Sequence, residues 1–457
     1  MGFRSSLAAA LGKSARWAGE TFMHRSAGNL PGVIAMKACP SVLADIARKA
    51  DTAVVVTGTN GKTTTTNLVA DCLAASGRAV YCNRDGNNLE SGVVTALLVK
   101  PEAAQDRSSR PTACFECDEM YTKYVVPRVK PRYFMLLNLF RDQLDRVGEI
   151  EHVQDAIVAA LEGSPDTVFL YNGDDPLCAG IADRVANRSL AFGIEGDLGL
   201  DADRISDSRF CQKCQTALSY DYVHYGQLGA YRCPACGWKR PELAFCARNV
   251  RMEDDGYVFE IDGHTVRTGQ SGAYMIYNTL AAYAASKASG LVEFDGFERA
   301  LAAYRPSNGR LQTFCLGERS VMTNLAKNPT GFNQNIRIVL NEGGRVLALF
   351  VNDAEADGVD VSWFWDIDFE RWSGIEGLKA FVGGSRANDM QVRLKYAGID
   401  ARLVENAADV LAATDASDGK VYVIANYTAL PPLRRELEEL EARAGAQNAC
   451  ADEKEGA

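Results

Sequence analysis

The sequence is poor in histidine, lacks long apolar runs and has no excess of basic residues. Its 457 residues include four histidines, and none of them lies in a recognisable nucleophile motif: His24, His152, His224 and His264. No apolar run approaches the roughly 18 residues that span a bilayer. The net charge of −10 argues against sequence-independent nucleic-acid binding, which needs a basic surface, so we predict no nucleic-acid partner.

The cysteine pattern does not indicate a disulfide framework. The chain has 13 cysteines, an odd number, and several stand singly in apolar runs, namely Cys72, Cys82, Cys114 and Cys315. This pattern is typical of reduced thiols, so we predict a cytoplasmic protein. A hydrophobic content of 47% supports a sizeable core. At roughly 100–200 residues per domain, the length suggests two to four domains.

The first 45 residues are predicted to form an N-terminal helical segment. The stretch MGFRSSLAAALGKSARWAG has a short apolar patch but neither the long apolar region nor the cleavage site of a signal peptide, so it is interpreted as an amphipathic helix. Two interpretations stay open. The helix packs on the body of the protein, or it contacts a membrane surface.

The rest of the chain contains two segments in which strand and helix patterns alternate. From about residue 52 to 195, β-rich runs alternate with helical patterns, which predicts a mostly parallel sheet with helices on both faces. The second segment begins near Cys315, after the break RPSNGR. We predict an α/β protein with a first domain over 46–312 that contains an insertion at 205–242, and a Rossmann-like domain over 313–457 whose tail frays after about 445.

The stretch TGTNGKTTTTNL predicts a phosphate-binding loop between a strand and a helix. Backbone N–H groups of a Gly-rich turn cradle phosphate oxygens, and the helix adds its positive N-terminal end. Lys62 would reach the β- and γ-phosphates, and the Thr63 hydroxyl would hold Mg²⁺. Val56 stands where the usual motif has its first glycine. The predicted nucleotide-binding residues of this loop are Gly58, Thr59, Asn60, Gly61, Lys62, Thr63 and Thr64.

A carboxylate for Mg²⁺ is expected at the end of the strand TACFE. Glu116 closes this strand, and Glu119 is the competing candidate. Sequence alone leaves the choice between the two open.

Four cysteines in two C-x-x-C pairs predict a structural zinc site in the insertion. Cys211, Cys214, Cys233 and Cys236 are separated by 18 residues between the pairs, the spacing of a zinc ribbon. Four thiolates fill a tetrahedral site and leave no open position for substrate. Redox or disulfide pairing is the alternative. His224 falls between the two pairs, and we expect it at the surface.

Further motifs resemble those of the Mur ligase family. The segment NLFRDQLDRVGE is similar to the family's Asn…Asp-His-Leu-Asp…Gly stretch, with Gln143 in place of the histidine. The segments NGDDP, Tyr277-Asn278 and NGR also match family motifs, in the family's order. The resemblance implies a Mur ligase-like P-loop domain and formation of an acyl phosphate with ATP and Mg²⁺. It places Asn278 beside the adenine and assigns Arg310 to stabilising the transferred phosphoryl group.

Within this family the sequence resembles the MurT subgroup, the ligase subunits of lipid II isoglutaminyl synthases. The marks are the cysteine-rich insertion, SGAYMIYNTLAAY, NLAKNPTGFN, VNDAEADGVDVSWFWDIDFE and ANYTAL. The resemblance implies a heterodimer with a GatD-like glutamine amidotransferase, which supplies ammonia. The implied reaction is amidation of the D-glutamate α-carboxylate of the lipid II stem peptide, giving D-isoglutamine, at the inner face of the membrane.

The segment NLAKNP weakens the main alternative, a ligase that adds an amino acid, as in folylpolyglutamate synthesis. Amino-acid-adding Mur ligases have Asp-Tyr-Ala-His-Asn-Pro here, whereas this chain has Asn324 and Lys327 at the Asp and His positions. It also shows no clear candidate for the carbamylated lysine of those enzymes. A non-catalytic, nucleotide-binding zinc-ribbon scaffold is a third possibility, which the intact Lys62, Thr63 and Glu116 disfavour.

The same resemblance assigns Asp360 to the partner's glutaminase site. In this subgroup, the second acid of an Asp-Gly-x-Asp pair is thought to complete a Cys-His-Asp triad whose Cys and His belong to the partner. Such a triad needs an acid to orient the histidine and stabilise the imidazolium. Asp357 is the local competitor, and Asp360 could instead simply cap a turn or helix.

Overall fold

A computed structural model describes most of the chain, and the account below is confined to those residues. The described ranges are 2–22, 28–51, 53–102, 110–142, 149–204, 206–253, 256–269, 272–305 and 309–455, without the side chains of residues 20, 22 and 445–455. Gln143 and Asn308, which belong to two of the family motifs, lie outside them. Within these ranges, no helix combines the length and apolar character needed to cross a membrane.

Three helices precede the first strand. They are α1 (Phe3–Phe22), α2 (Leu30–Ala38) and α3 (Val42–Ala47). Small residues allow close contact between them. A Cβ on Gly12 of α1 would come within 3.2 Å of Ala35 Cβ in α2. Helix α1 therefore packs on the body through its small side chains.

The strands of the middle part fall into three groups along the chain. The first six are β1 (Ala53–Thr57), β2 (Val80–Cys82), β3 (Thr112–Glu116), β4 (Tyr133–Leu136), β5 (Val168–Asn172) and β6 (Ser189–Ile194). The insertion holds a hairpin of β7 (Ser219–Tyr225) and β8 (Leu228–Arg232). Then come β9 (Phe245–Glu253), β10 (Gly256–Ile261) and β11 (His264–Arg267).

Nine of these strands form one sheet in the order β11-β10-β9-β6-β5-β4-β1-β3-β2. The strands from β2 to β9 in this order run parallel, and β10 and β11 extend the sheet antiparallel. Our sequence interpretation missed β9–β11, because β9 contains the charged residues Arg248, Arg251 and Glu253 without a regular alternation of apolar and polar residues along its length. The Asp262-Gly263 turn, with both φ values positive, was the available hairpin signal.

Helices cover both faces of this sheet. They are α4 (Lys62–Ala75), α5 (Glu90–Leu98), α6 (Thr122–Val129), α7 (Ile150–Glu162), α8 (Pro176–Ala182), α9 (Tyr274–Ser289) and α10 (Phe294–Ala303). One buried cluster joins the sheet to α1–α3 and α5–α8, and a second joins its other face to α4, α9 and α10. The parallel order brings the carboxyl ends of β1, β3 and β4 together at one edge, where ligands bind in such sheets.

The C-terminal part is a second α/β unit. Its sheet has the order β12-β13-β17-β14-β15-β16 and is parallel except for β12. The strands are β12 (Gln312–Leu316), β13 (Arg319–Leu325), β14 (Val346–Phe350), β15 (Lys379–Gly383), β16 (Ala401–Leu403) and β17 (Val421–Ala425). The helices are α11 (Pro329–Asn341), α12 (Ala387–Tyr396), α13 (Ala407–Ala412) and α14 (Leu430–Glu455). The predicted frayed tail falls on the end of α14, whose side chains lie outside the described residues.

Candidate active site

The predicted phosphate loop connects β1 to α4. Gly58 and Gly61 have φ values of +131° and +87°, which favour glycine, and Gly61 is the residue before the helix. A Cβ on Gly61 would lie 2.3 Å from Asn278 Oδ1, so the glycine also permits close approach of α9. The loop therefore has the backbone conformation and the helix N-terminus that phosphate binding requires.

The segment after β4 holds the loop in place. Asn138 accepts hydrogen bonds from the backbone N–H groups of Thr59 and Asn60, at 3.0 and 2.9 Å. The Thr59 hydroxyl lies 2.9 Å from the backbone N of Phe140, from which it accepts a hydrogen bond. These contacts fix the loop before any ligand is bound, which reduces the ordering cost of binding.

Lys62 begins α4 and is buried beside Glu119. Its ammonium donates to Gly58 O at 2.6 Å and lies 3.1 Å from Glu119 Oε2. Burial opposes the charge on Lys62, but the Glu119 carboxylate, together with Tyr427 and Glu116, holds the pKa of Lys62 above its ordinary value. Lys62 is thus a fixed positive charge at the loop, and Glu119 is its counter-ion.

Thr63 and Glu116 form a pair of oxygen donors beside the loop. The Thr63 hydroxyl donates to Glu116 Oε2 at 2.6 Å, and Asn88 Nδ2 donates to Glu116 Oε1 at 3.1 Å. A Cβ on Gly86 would lie 3.2 Å from Thr63 Oγ1, so the glycine keeps this place open. Mg²⁺ prefers such hard oxygen ligands. The two glutamates therefore have different partners: Glu116 contacts Thr63, and Glu119 contacts Lys62.

A cavity beside the loop lies between the two α/β units. Thr59 to Thr64 line one side, together with Asn278 of α9. Asn278 is buried, not a surface residue of its helix, and its Oδ1 accepts a hydrogen bond from the Thr65 hydroxyl at 3.4 Å. Arg310, from the connection to the second unit, lines the same cavity with Tyr304. The structure thus brings the predicted nucleotide-binding residues, except Gly58, together around one space.

The NLAKNP segment closes this cavity from the C-terminal unit. Asn328 Nδ2 donates to Asn60 Oδ1 at 3.3 Å, which ties the segment to the phosphate loop. Lys327 is buried, pairs with Asp142 and lies 5.5 Å from the centre of the Tyr427 ring. Burial disfavours its charge, but Asp142 and then Tyr427 raise its pKa above the ordinary value.

A second cavity of about 320 Å³ adjoins the first. Four residues line both cavities: Thr59, Lys62, Lys327 and Tyr427. The second cavity is also lined by Glu119, Arg141 and Asp142, and by Asn29 and Leu89 from the N-terminal side. Sequence reasoning did not place Asp142, Tyr427 or Asn29 at the site, because they come from segments distant in sequence. Their sequence signals were the motifs NLFRDQLDRVGE and ANYTAL, which contain Asp142 and Tyr427, whereas Asn29 had none.

The four predicted zinc ligands converge in the insertion. The sulfur atoms of Cys211, Cys214, Cys233 and Cys236 all lie within 4.8 Å of one another, and none forms a disulfide. Sulfurs at about 2.3 Å from a tetrahedral zinc are separated by roughly 3.8 Å, so the arrangement fits this ion. The backbone N–H groups of Lys213 and Cys236 also point at Cys211 and Cys233, as expected for thiolates.

The expectation that His224 lies at the surface is wrong. His224 is fully buried at the end of β7, where Nε2 donates to Gly196 O at 2.8 Å. Its Nδ1 lies 2.7 Å from the Tyr277 hydroxyl, which is 2.8 Å from Asp174 Oδ2. Burial lowers the pKa of His224. Because Tyr277 precedes Asn278, this network connects the cysteine-rich insertion to α9, which lines the cavity beside the loop.

The two candidate acids of the C-terminal unit have different environments. Asp357 is buried and accepts hydrogen bonds from the backbone N and the hydroxyl of Thr428, which lines the second cavity. Asp360 is exposed and accepts from the backbone N and hydroxyl of Ser362, at 2.8 and 2.9 Å. Asp360 therefore holds the first residue of the 3₁₀ turn Ser362–Asp366, and its carboxylate is reachable from outside.

Comparison with known proteins identifies the family of this chain. Residues 56–286 match the Mur ligase middle domain, and residues 325–430 match the MurT ligase C-terminal domain. The chain is 33% identical over 417 residues to the lipid II isoglutaminyl synthase (glutamine-hydrolyzing) subunit MurT of Staphylococcus aureus strain N315, covering 90% of this chain and 92% of that protein. It is also 33% identical over 420 residues to the same subunit of Streptococcus pneumoniae strain R6, covering 89% of this chain and 92% of that protein.

The fold also has solved counterparts. A pseudomurein peptide ligase type C from Methanothermus fervidus superimposes with a TM-score of 0.63 at 20% sequence identity, covering 85% of this chain and 78% of that one. The predicted α/β, Mur ligase-like fold and the predicted subgroup are both confirmed. The chain belongs to the MurT family of Mur ligases.

Proposed function

We propose that this chain amidates a carboxylate of lipid II with ATP and ammonia, as the ligase subunit of a lipid II isoglutaminyl synthase. The observation that carries the proposal is that Lys62 and Lys327 line both cavities. A nucleotide bound in the cavity beside the loop would then present its terminal phosphate to a carboxylate held in the second cavity. The relatives named above carry the same activity in their names.

The reaction needs two steps. An oxygen of the D-glutamate α-carboxylate attacks the γ-phosphorus, the bond to the β-phosphate oxygen breaks, and an acyl phosphate and ADP form. Ammonia then attacks the acyl carbon, phosphate leaves, one proton is lost, and D-isoglutamine results. Phosphorylation turns a poor leaving group, oxide, into a good one.

The residues divide this work by position. Lys62 and Arg310 would offset the charge of the transferred phosphoryl group from two sides. Asn278 would lie beside the base. Thr63 and Glu116 would hold Mg²⁺, which neutralises phosphate charge when bound. Glu119 is assigned to Lys62, whose ammonium it holds and keeps charged.

Lys327 supports ammonia over an amino acid as the nucleophile. Its ammonium is paired with Asp142 at the wall shared by the two cavities. A fixed cation here suits the acidic reactants and repels any protonated nucleophile, so the nucleophile has to arrive uncharged, as ammonia released directly from a glutaminase does. A ligase that adds an amino acid remains the alternative.

We further propose that the ammonia comes from a GatD-like glutaminase bound as a heterodimer at the inner face of the membrane. The chain has four histidines, and His224 is held inside the fold by Tyr277 and Gly196. The exposed Asp360 would complete the partner's Cys-His-Asp triad.

The direct test combines the purified chain with Mg-ATP, an ammonium salt and lipid II, and follows the product by mass spectrometry. We expect conversion of one stem-peptide carboxylate to an amide, with ADP formed in equal amount. The same reaction with glutamine should require the glutaminase partner. Consumption of an amino acid in place of ammonia would refute the proposal and support the alternative ligase.

We also propose that the cysteine cluster binds one structural zinc ion per chain. Cys211 and Cys233 are buried, so their thiolates need a metal to offset their charge. We expect Cys211→Ser to lose the metal, measured by elemental analysis, and to lower the unfolding temperature. The matched control is Cys315→Ser, an exposed cysteine in β12, which should keep both unchanged. Equal metal content in the two variants would contradict the site.

A further inference from the structure

The N-terminal helix α1 faces the body of the protein with its small residues and solvent with its large apolar ones. Ser5, Ala8 and Gly12 are buried against α2, α3 and α5. Phe3, Leu7 and Leu11 are 84%, 53% and 45% exposed. They are four residues apart and share one stripe of the helix. This is the reverse of an ordinary surface helix, whose apolar stripe faces the core.

Basic residues accompany the apolar stripe. Arg4 and Lys13 are exposed on α1, one on each side of the stripe. The first 50 residues contain seven lysines and arginines against two acidic residues, a net charge of +5, in a chain of net charge −10. The rest of the chain therefore carries −15, so the positive charge is concentrated at the end that presents the apolar stripe.

Helix α1 also belongs to the layer that borders the second cavity. It packs on α2 and on α5, where a Cβ on Gly12 would meet Leu98. The residues that precede these two helices, Asn29 and Leu89, line that cavity. The apolar stripe is therefore joined, through one layer of helices, to the cavity assigned to the acceptor.

From these observations we propose that the stripe of Phe3, Leu7 and Leu11 inserts into the surface of an anionic lipid bilayer. An in-plane helix with bulky apolar residues on one face and lysine and arginine at its flanks is the type that binds such surfaces. The role of this binding rests on the proposed function: bilayer contact by α1 would hold the second cavity next to a lipid-linked acceptor. The binding itself needs no catalysis.

The test is co-sedimentation of the full chain with vesicles that contain no lipid II. We compare vesicles of phosphatidylcholine alone with mixed phosphatidylcholine and phosphatidylglycerol vesicles, at low and high salt. We expect binding to the anionic vesicles, weakened by salt. The variant Phe3→Glu/Leu7→Glu/Leu11→Glu should bind more than about tenfold more weakly. Arg4→Gln and Lys13→Gln should each weaken binding to anionic vesicles by roughly fivefold.

The matched control replaces three exposed apolar side chains of the C-terminal unit, Val392→Glu/Tyr396→Glu/Leu403→Glu, and should bind vesicles as the wild type does. Circular dichroism checks that each variant is folded. Equal vesicle binding by the wild type and the α1 variant would overturn the proposal. So would equal binding of the wild type to vesicles with and without phosphatidylglycerol. It would also be overturned if the glutaminase partner, or a second copy of the chain, bound the wild type but not the α1 variant.

Because the vesicles hold no substrate, this result is independent of the amidation assay. If the wild-type chain bound vesicles but did not amidate lipid II, the result would count against the proposed function alone. Absent vesicle binding with intact amidation of detergent-solubilised lipid II would count against the membrane proposal alone.

Discussion

Lys62→Met is expected to abolish amidation whether ammonia is supplied directly or from glutamine. The substitution keeps most of the aliphatic stem and removes the buried charge that faces both cavities. Loss of one such preorganised charge lowers the turnover rate by roughly 10³-fold. The measurement is the initial rate of amide formation with saturating Mg-ATP and either nitrogen source. Lys395→Ala, an exposed lysine of α12, is the control and should retain full rate.

The same substitution should also destabilise the protein, because it leaves Glu119 buried without its counter-ion. Breaking a buried pair costs about 3–5 kcal/mol of unfolding free energy. The double variant Lys62→Met/Glu119→Gln should recover much of this stability in urea unfolding without recovering activity. Recovery of activity with stability would show that Lys62 acts through folding and not on phosphate.

Those elements of the fold that have local sequence signals could be predicted. The runs AVVVT and TACFE are buried strands because they are short, apolar and bounded by turn or polar residues, and the structure places them as β1 and β3. The Gly-rich loop after β1 was predictable because positive φ at Gly58 and Gly61 requires glycine. The two cysteine pairs were predictable from their spacing.

The features that depend on long-range contacts could not be predicted. Lys327 and Asp142 are 185 residues apart, and neither residue's neighbours in sequence indicate the pair. Glu116 was the candidate and Glu119 its competitor, and sequence could not show that the register of β3 against β1 puts Glu116 at Thr63. For α1, the helical period was readable, but which face packs depended on close contact at Gly12.

His224 shows the same limit for a single side chain. A histidine between two zinc-ligand pairs looks like a ribbon surface residue, since most of that insertion is polar. It is buried because β7 brings it against Tyr277 of α9 and the carbonyl of Gly196. The insertion is therefore joined to α9 by a buried polar network, which sequence spacing does not reveal.

Asp360→Asn is expected to separate the two nitrogen sources. Its carboxylate is exposed and is held by Ser362, so the substitution leaves both cavities of the ligase site intact. Ammonia-dependent amidation should stay within about twofold of wild type. Glutamine-dependent amidation with the glutaminase partner should fall by roughly 10²–10⁴-fold, the range for loss of the acid that orients a catalytic histidine.

Asp357→Asn provides the contrast, because it differs from Asp360→Asn in burial and partners. Asp357 is buried and fixes Thr428, which lines the second cavity next to Tyr427. We therefore expect Asp357→Asn to slow both reactions to a similar degree. If Asp360→Asn also slowed both equally, it would act within the ligase site and not on the partner. If Asp357→Asn alone spared ammonia use, the triad acid would be Asp357, and the exposed carboxylate of Asp360 would only hold its turn.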